Sequence, residues 1–328
     1  MSTPIIFAGI DEAGYGPLLG PLVLGRAAVR VEVEEADELP DLWAILKEAV
    51  SQKRDRTGRR LHVNDSKKVY SPSKKTGGLK ELERAVLATA GASGVDASSL
   101  DALLTAVHPD AAKQASGIDW FTSPADEQHP HDLDPASAGI ATNALKHACE
   151  RANVTFLPPA AQVIFEPEYN RLCGALQNKA AMLQTVLARL IYGTIDPARE
   201  PVTLVIDRQG GRSHYAGFLR QMFGDWELSV VSEDDARAEY TMTRGDQSAR
   251  LIFSEKAESI ALPTALASMY AKYLRERLMG RFNAWWATHD PSLQPTAGYW
   301  TDAQRWLEDT AELRQRLRIP DAQLIRER

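Results

Sequence analysis

Short apolar runs bounded by turn-forming or acidic residues predict the main strands of this chain. Residues 5–10 form one such run, and the following stretch, 14–21, is rich in glycine and proline. A second β-rich run covers residues 22–33, and a buried-strand pattern covers residues 201–207 and ends on an acid. Runs of this length between turn residues are typical of strands in a sheet.

The rest of the chain alternates between further strands and helices. Two more strands are predicted at 226–232 and 249–253, joined by a charged segment at 233–247. Apolar residues at helical spacing predict helices over 79–90, 138–151, 180–192, 263–282 and 301–317. Thr301 is expected to cap the start of the last helix, and Pro320 lies just past its end. Strands interspersed with helices indicate an α/β protein.

Residues 91–160 have a different composition, dominated in places by Gly, Ser, Ala, Pro and His. We interpret them as an insertion outside the main core and as a candidate lid. The aromatic pair Trp120 and Phe121 is expected to form a small core of that insertion. The predicted organisation is a catalytic domain over residues 1–285 that contains this insertion, followed by a helical extension over residues 286–328.

Composition excludes several classes of protein. With 44% hydrophobic and 25% charged residues, the chain is neither disordered nor collagen-like. It has no apolar stretch long enough for a membrane span, and its apolar start lacks the basic flank of a signal peptide. Two cysteines cannot build a disulfide scaffold, so we expect a cytoplasmic protein. The net charge of −6 disfavours coating of nucleic acid by bulk charge but allows a local basic groove.

Acidic residues follow two of the predicted strands. Asp11 and Glu12 come directly after the first strand, and Asp207 ends another almost two hundred positions later. The carboxyl ends of parallel strands meet at one edge of a sheet. Carboxylates gathered there suit hard divalent ions such as Mg²⁺ or Mn²⁺. These residues alone leave open the alternative that Asp11 and Glu12 cap a turn and Asp207 starts a loop.

Five segments in a fixed order carry a resemblance to a known family. The stretch Gly9-Ile10-Asp11-Glu12-Ala13-Gly14-Tyr15-Gly16-Pro17 resembles the first motif of the type 2 ribonucleases H, the ribonuclease HII and HIII family. Later segments are similar to its other motifs: Asn-Asp-Ser-Lys-Lys at 64–68, Val-Ile-Asp at 205–207, Lys-Ala-Glu-Ser at 256–259 continuing to 276, and Gly-Tyr-Trp-Thr at 298–301.

This resemblance implies a ribonuclease H-like fold: a mixed β-sheet with antiparallel first strands, flanked by helices, with an inserted segment and C-terminal helices. The implied activity is hydrolysis of the RNA strand of RNA–DNA hybrids with two Mg²⁺ or Mn²⁺ ions. The implied partner is an RNA–DNA hybrid or ribonucleotide-containing DNA, with no membrane involved, and we expect a monomer. A structure-specific nuclease of altered substrate and a non-catalytic nucleic-acid-binding protein are the alternatives.

The resemblance also implies roles for individual residues. The metal-binding acids would be Asp11, Glu12, Asp207 and Glu276. Ribonuclease HII commonly has Asp at the last of these positions. Glu276 also has an alternative interpretation, as part of a solvated helix face with Arg275 and Arg277.

Substrate contacts are implied at three further places. The loop of Gly14, Tyr15 and Gly16 would recognise a ribose 2′-OH, the group that distinguishes RNA from DNA. Ribonucleases HII and HIII typically have Arg or Lys between the two glycines, where this chain has Tyr15, so we expect a preference for runs of ribonucleotides. Lys67 and Lys68 would contact phosphate, and Tyr299 would pack at the ribonucleotide–deoxyribonucleotide step.

Overall fold

A computed structural model describes residues 2–35, 38–70 and 78–327 of the chain. Within them, one large sheet has seven strands in the order β5-β2-β1-β6-β9-β8-β7. Its strands are β1 (Thr3–Ala13), β2 (Leu22–Val33), β5 (Thr155–Ile164), β6 (Val202–Asp207), β7 (Glu227–Glu233), β8 (Arg237–Arg244) and β9 (Gln247–Ser254). The short strands β3 (Val50–Ser51) and β4 (Leu61–His62) form a separate parallel pair.

The sheet is mixed, with its parallel strands at the centre. β1 runs parallel to β6, and β6 runs parallel to β9. β2 is antiparallel to β1 over eleven paired positions, from Thr3 with Val33 to Ala13 with Val23. The outer strands β5, β7 and β8 all pair antiparallel with their neighbours. The predicted mixed sheet with antiparallel first strands, flanked by helices, is confirmed.

Helices cover both faces of this sheet. They are α1 (Leu42–Ile45), α2 (Ser66–Val69), α3 (Lys80–Ala92), α4 (Leu100–Val107), α5 (Pro109–Ala115), α6 (Pro135–Ala152), α7 (Glu166–Leu176), α8 (Lys179–Ile195), α9 (Ala216–Met222), α10 (Leu262–His289), α11 (Trp300–Asp309), α12 (Ala311–Leu317) and α13 (Asp321–Leu324). Among the described residues, no helix has both the length and the apolar character needed to cross a membrane.

The hydrophobic core consists of two clusters, one on each face of the sheet. α10 and α3 contribute to one cluster, and α8 and α9 contribute to the other. α10 approaches the strands so closely that glycine is required beneath it: a Cβ on Gly9 would lie 2.1 Å from the backbone nitrogen of Thr264. A Cβ on Gly25 would lie 2.4 Å from the carbonyl oxygen of Ala267. This close packing fixes the long helix against β1 and β2, the strands that lead to the candidate site.

The region 91–160 is integrated into the main core more than its composition indicates. Trp120 and Phe121 are buried, and their rings lie 6.4 Å from that of Phe282 on α10. They therefore pack on the long helix rather than forming a separate small core. Residues 155–160 also belong to β5, at one edge of the large sheet. The domain division itself stays a prediction.

Two predicted elements differ in the structure. The charged segment 233–247 contains strand β8, whose charged residues pair across the sheet: Arg250 Nε donates to Glu239 Oε1 at 2.6 Å. Such pairing lets a charged sequence occupy a sheet. The last predicted helix is interrupted at Thr310, and its first part begins at Trp300, with Tyr299 rather than Thr301 at the N-cap position.

Candidate active site

The pairing of β1 with β6 brings the first two groups of acids together. Ile10 pairs with Ile206 at the end of the parallel ladder, so Asp11 and Asp207 follow at the same edge of the sheet. Glu12 comes next on β1. The backbone N–H of Glu12 donates to Asp11 Oδ1 at 2.6 Å, and the N–H of Ala257 donates to Asp207 Oδ1 at 3.3 Å. The expected meeting of these strand ends is therefore present.

Burial and mutual repulsion raise the pKa of all three carboxyl groups. Burial and the charges of Glu12 and Asp207 raise the pKa of Asp11 well above its usual value. Burial and the charge of Asp207 raise the pKa of Glu12 to about 7. The pKa of Asp207 is raised to about 6, again chiefly by burial. Like charges held this close favour a cation between them.

Glu258 is a fourth carboxylate at this edge, and the sequence analysis missed it. Its charge raises the pKa of both Asp11 and Asp207. Glu258 lies four residues after the end of β9, whose last residue, Ser254, pairs with Asp207. The rule that selected Asp207, an acid directly at the end of a strand, would have selected Glu255 after β9, whereas Glu258 lies in the segment 256–259, whose resemblance to a family motif was the signal that could have identified it.

Glu276 has different neighbours. Its carboxylate accepts hydrogen bonds from Tyr70 Oη at 2.9 Å and from Lys272 Nζ at 2.7 Å. Glu258, not Glu276, thus supplies the fourth carboxylate whose charge acts on Asp11 and Asp207. The alternative of a solvated helix face does not hold either, because the side chain of Arg275 is completely buried.

The segment 64–68 places a lysine beside the acids. Asp65 caps α2 by accepting from the backbone N–H of Lys67 at 3.0 Å. The N–H of Ser66 donates to Ser268 Oγ on α10 at 3.1 Å, which ties this turn to the long helix. The positive charge of Lys67 opposes part of the increase in the pKa of Glu12 and of Asp207. The Lys67 side chain therefore lies near these carboxylates. Lys68 is exposed.

The glycine loop at residues 14–20 is built around the guanidinium of Arg275. Gly14, Gly20 and Gly298 all have positive φ angles, of 87°, 82° and 81°. A Cβ on Gly14 would lie 2.5 Å from Arg275 Nε, and a Cβ on Gly298 would lie 3.3 Å from Arg275 Nη2. Arg275 Nη2 also donates to Ala297 O at 2.9 Å. Gly14 is therefore required for packing on Arg275 as well as for the turn itself.

Two tyrosines flank this loop. Tyr15 is half-buried, and Lys179 Nζ lies 4.5 Å from the centre of its ring. Tyr299 is 48% exposed, and the Arg275 guanidinium lies 5.5 Å from its ring. The backbone N–H of Leu18 donates to Gly298 O at 2.7 Å, which joins the loop to the segment bearing Tyr299. The predicted substrate-binding positions Gly14, Tyr15, Gly16 and Tyr299 are therefore neighbours.

The donor set has the chemistry of a site for hard divalent cations. Carboxylate oxygens from Asp11, Glu12, Asp207 and Glu258 are the ligand type that Mg²⁺ and Mn²⁺ prefer. Among the described residues, no three His, Cys, Asp or Glu side chains are arranged as a closed metal-holding group. The acids are thus close enough to act on one another electrostatically without forming a completed ligand cage.

Comparison with known proteins adds structural likeness. No protein-family model matches the chain, and no curated protein matches it significantly. The chain is similar in structure to ribonucleases HII and HIII. Its likeness to RNase HII of Archaeoglobus fulgidus, from a complex with PCNA, covers 98% of this chain and 94% of that one, at 14% identity and a TM-score of 0.42.

Two further structures are similar. Ribonuclease H2 of Pyrococcus horikoshii matches over 97% of this chain and 92% of its own, at 13% identity and a TM-score of 0.40. Bst-RNase HIII in complex with Mn²⁺ matches over 84% of this chain, at 18% identity and a TM-score of 0.35. The matched region spans 54% of that protein's length. Because all three TM-scores are below 0.5, the proposed function rests on the residues of the site.

Proposed function

We propose that this chain is a metal-dependent endonuclease that hydrolyses the RNA strand of RNA–DNA hybrids. The observation that supports it most is the group of mutually repelling carboxylates at the ends of β1 and β6, joined by Glu258. A protein that only bound nucleic acid would gain nothing from buried acids that repel one another and its ligand's phosphates. A cation-dependent phosphodiesterase needs such a group.

Asp11, Glu12 and Asp207 are the proposed metal ligands, with Glu258 as the fourth. Glu276 remains a predicted ligand from the resemblance, although its contacts are with Tyr70 and Lys272. Divalent ions bound there would polarise the phosphodiester, activate a water and stabilise the leaving oxygen. The protein itself places the carboxylate oxygens at the ends of the adjacent parallel strands β1 and β6, and α10 packs closely against β1.

Lys67 and the glycine loop are proposed to hold the substrate. Lys67 lies near the acids and is exposed, so it can pair with a phosphate oxygen entering the site. Tyr15 has no charge of its own, and burial and the charge of Glu12 raise the pKa of its hydroxyl. It therefore offers a ring and a neutral hydroxyl, which supports the expected preference for several consecutive ribonucleotides over a single one.

The test is cleavage of end-labelled duplexes with Mg²⁺ or Mn²⁺ and with chelator. The substrates are an RNA–DNA hybrid, double-stranded DNA, double-stranded RNA and a DNA duplex with one ribonucleotide. We expect cleavage of the hybrid only with metal, and loss of nearly all activity in Asp207→Asn. The matched control is Asp246→Asn, an exposed aspartate in the turn between β8 and β9, which should cleave normally.

Two results would change the assignment. Cleavage of branched or purely DNA substrates in preference to the hybrid would favour a structure-specific nuclease. Tight hybrid binding with no cleavage by the unmodified chain in either metal would instead favour a non-catalytic binding protein.

Comparing Glu258→Gln with Glu276→Gln distinguishes the two candidate fourth ligands. The larger loss of activity is expected for Glu258→Gln, because the charge of Glu258 acts on Asp11 and Asp207.

A further inference from the structure

Two positively charged side chains from different elements lie next to Tyr15. Lys179, the first residue of α8, places Nζ 4.5 Å from the centre of the Tyr15 ring. The charge of Arg212, in the loop after β6, acts on the Tyr15 hydroxyl. Tyr15, Ala180 and Arg212 also line the same cavity. The start of α8 and the loop after β6 therefore bring two cations to the same part of the glycine loop.

The position of Lys179 is fixed both along the backbone and at the ammonium group. Asn178 caps α8, because its Oδ1 accepts from the backbone N–H groups of Ala180 and Ala181 at 2.9 and 3.2 Å. The half-buried Lys179 side chain then lies over the face of Tyr15, where the aromatic ring attracts the cation. A side chain held in place before a ligand arrives loses less conformational entropy when it binds.

Arg212 is carried by a turn that a second arginine holds in shape. Arg208 Nε donates to Arg212 O at 2.8 Å, and Arg208 Nη2 donates to Gly211 O at 3.3 Å. The turn also closes on itself, since the backbone N–H of Arg212 donates to Gln209 O at 3.1 Å. The Arg208 side chain is only 6% exposed, whereas Arg212 is exposed. Arg208 thus shapes the loop, and Arg212 is the arginine that a ligand can reach.

Both cations lie close to the carboxylates of the candidate site. The charge of Glu12 acts on the Tyr15 hydroxyl, and Asp207 ends the strand that leads into the loop of Arg212. Carboxylates repel an approaching phosphate backbone, so a nucleic-acid strand needs positive charge beside them. Lys67 provides such a charge from α2, and Lys179 and Arg212 provide it next to Tyr15.

We propose that Lys179 and Arg212 bind a backbone phosphate of the cleaved strand, close to the phosphodiester that is hydrolysed, and that the Tyr15 ring positions Lys179. The inference rests on the proposed function and adds a substrate contact to the same site. Ammonium and guanidinium groups form strong charge-assisted hydrogen bonds with phosphate. Phosphate contacts carry no information about the base, and they are available in RNA and in DNA. Lys179 and Arg212 therefore add affinity for every substrate, while the glycine loop recognises the ribose.

Anisotropy of a fluorescently labelled RNA–DNA hybrid, measured with chelator, reports binding without cleavage. Lys179→Ala and Arg212→Ala should each weaken binding roughly tenfold at low salt, the usual effect of losing one hydrogen bond to a charged group. Each should also reduce the slope of log Kd against log salt concentration by about one. The same losses are expected for a DNA duplex with one ribonucleotide. Arg189→Ala, at an exposed arginine further along α8, is the matched control and should bind normally.

A double-mutant cycle tests the positioning role of Tyr15. Tyr15→Leu removes the aromatic face, so Lys179→Ala should have a much smaller effect on binding in the Tyr15→Leu protein than in the unmodified chain. Lys179→Arg should recover most of the binding only when Tyr15 is present. Additive effects of Tyr15→Leu and Lys179→Ala would overturn the positioning role.

Uncharged methylphosphonates that replace single phosphates of the hybrid locate the contact. At one position of the cleaved strand, the replacement should weaken binding by the unmodified chain and leave binding by the Lys179→Ala, Arg212→Ala double variant unchanged. The absence of such a position, or an unchanged salt slope in both single variants, overturns the inference. These binding effects without any cleavage in Mg²⁺ or Mn²⁺ would leave the inference standing and overturn the proposed function alone.

Discussion

Arg326 Nη1 donates a hydrogen bond to the carbonyl oxygen of Gly14 at 2.6 Å, although 312 positions separate the two residues. The backbone N–H of Arg326 also donates to Leu18 O at 3.0 Å, and Arg326 is only 2% exposed. Asn170 holds the same segment by donating to Ile325 O at 2.8 Å. The C-terminal residues therefore form the inner support of the glycine loop beside the carboxylates.

Removing that support should impair catalysis. We expect Arg326→Ala to lower kcat by about tenfold to a hundredfold, because small displacements of positioning groups have effects of that size. Arg326→Lys should recover part of the loss. The measurements are kcat, KM and Tm, with Arg316→Ala, at an exposed arginine of α12, as the control. An unchanged kcat together with a lower Tm would show that Arg326 contributes to stability only.

The glycines of the loop should differ in their tolerance of a side chain. Gly14→Ala places a Cβ 2.5 Å from Arg275 Nε at a φ of 87°, so we expect the free energy of unfolding to fall by about 2 kcal/mol or more. Gly16→Ala meets open space at an ordinary φ and should change it by less than about 0.5 kcal/mol. Denaturant titration of both variants measures the difference. Equal effects would show that Arg275 does not pack beneath Gly14.

The clustered acids should reduce stability in the absence of metal, and increasingly so as the pH rises. The pKa of Asp207 is about 6 in the folded protein, against an ordinary value of 3.8. Between these values the folded state binds more protons than the unfolded state, so stability falls as the pH rises. We expect Asp207→Asn to be more stable than the unmodified chain by about 1–3 kcal/mol at pH 8 with chelator. The gain should vanish near pH 4.

Thermal unfolding of the two proteins from pH 4 to pH 8 measures that difference. Added Mn²⁺ should stabilise the unmodified chain and leave Asp207→Asn almost unaffected, because a ligand that binds only the folded state raises its stability. A constant difference across the pH range would contradict the raised pKa of Asp207.

The region 91–160 should behave as part of the core. Trp120 is 3% exposed and packs on Trp285 and Trp286 of α10, with ring centroids 5.8 and 6.2 Å apart. We expect Trp120→Ala to lower the free energy of unfolding by about 3–5 kcal/mol. Ile140→Ala, at a residue of α6 that is 69% exposed, should change it by less than about 0.5 kcal/mol. A small effect at Trp120 would instead support a separable lid.

Local sequence patterns were sufficient to predict the central strands and the first three acids. Apolar runs ending in acids identified β1 and β6, and strand direction brings Asp11 and Asp207 to one edge. The spacing of apolar residues and the positions of turn-forming residues are local features of a few positions. They can therefore be recognised without knowing what packs nearby. The five ordered segments added the resemblance to a family and, through it, the implied activity.

Tertiary structure decided which charged residues are buried and which act together. Arg275 and Glu276 are adjacent on α10, yet Arg275 packs beneath the glycine loop while Glu276 pairs with Tyr70 and Lys272. Glu258 enters the carboxylate group because β9 pairs with β6. Arg326 supports Gly14 from the far end of the chain. Most of these contacts join residues that are distant along the chain, up to 312 positions for Arg326 and Gly14. Their energy depends on burial and partner charges, which exist only once the chain has folded.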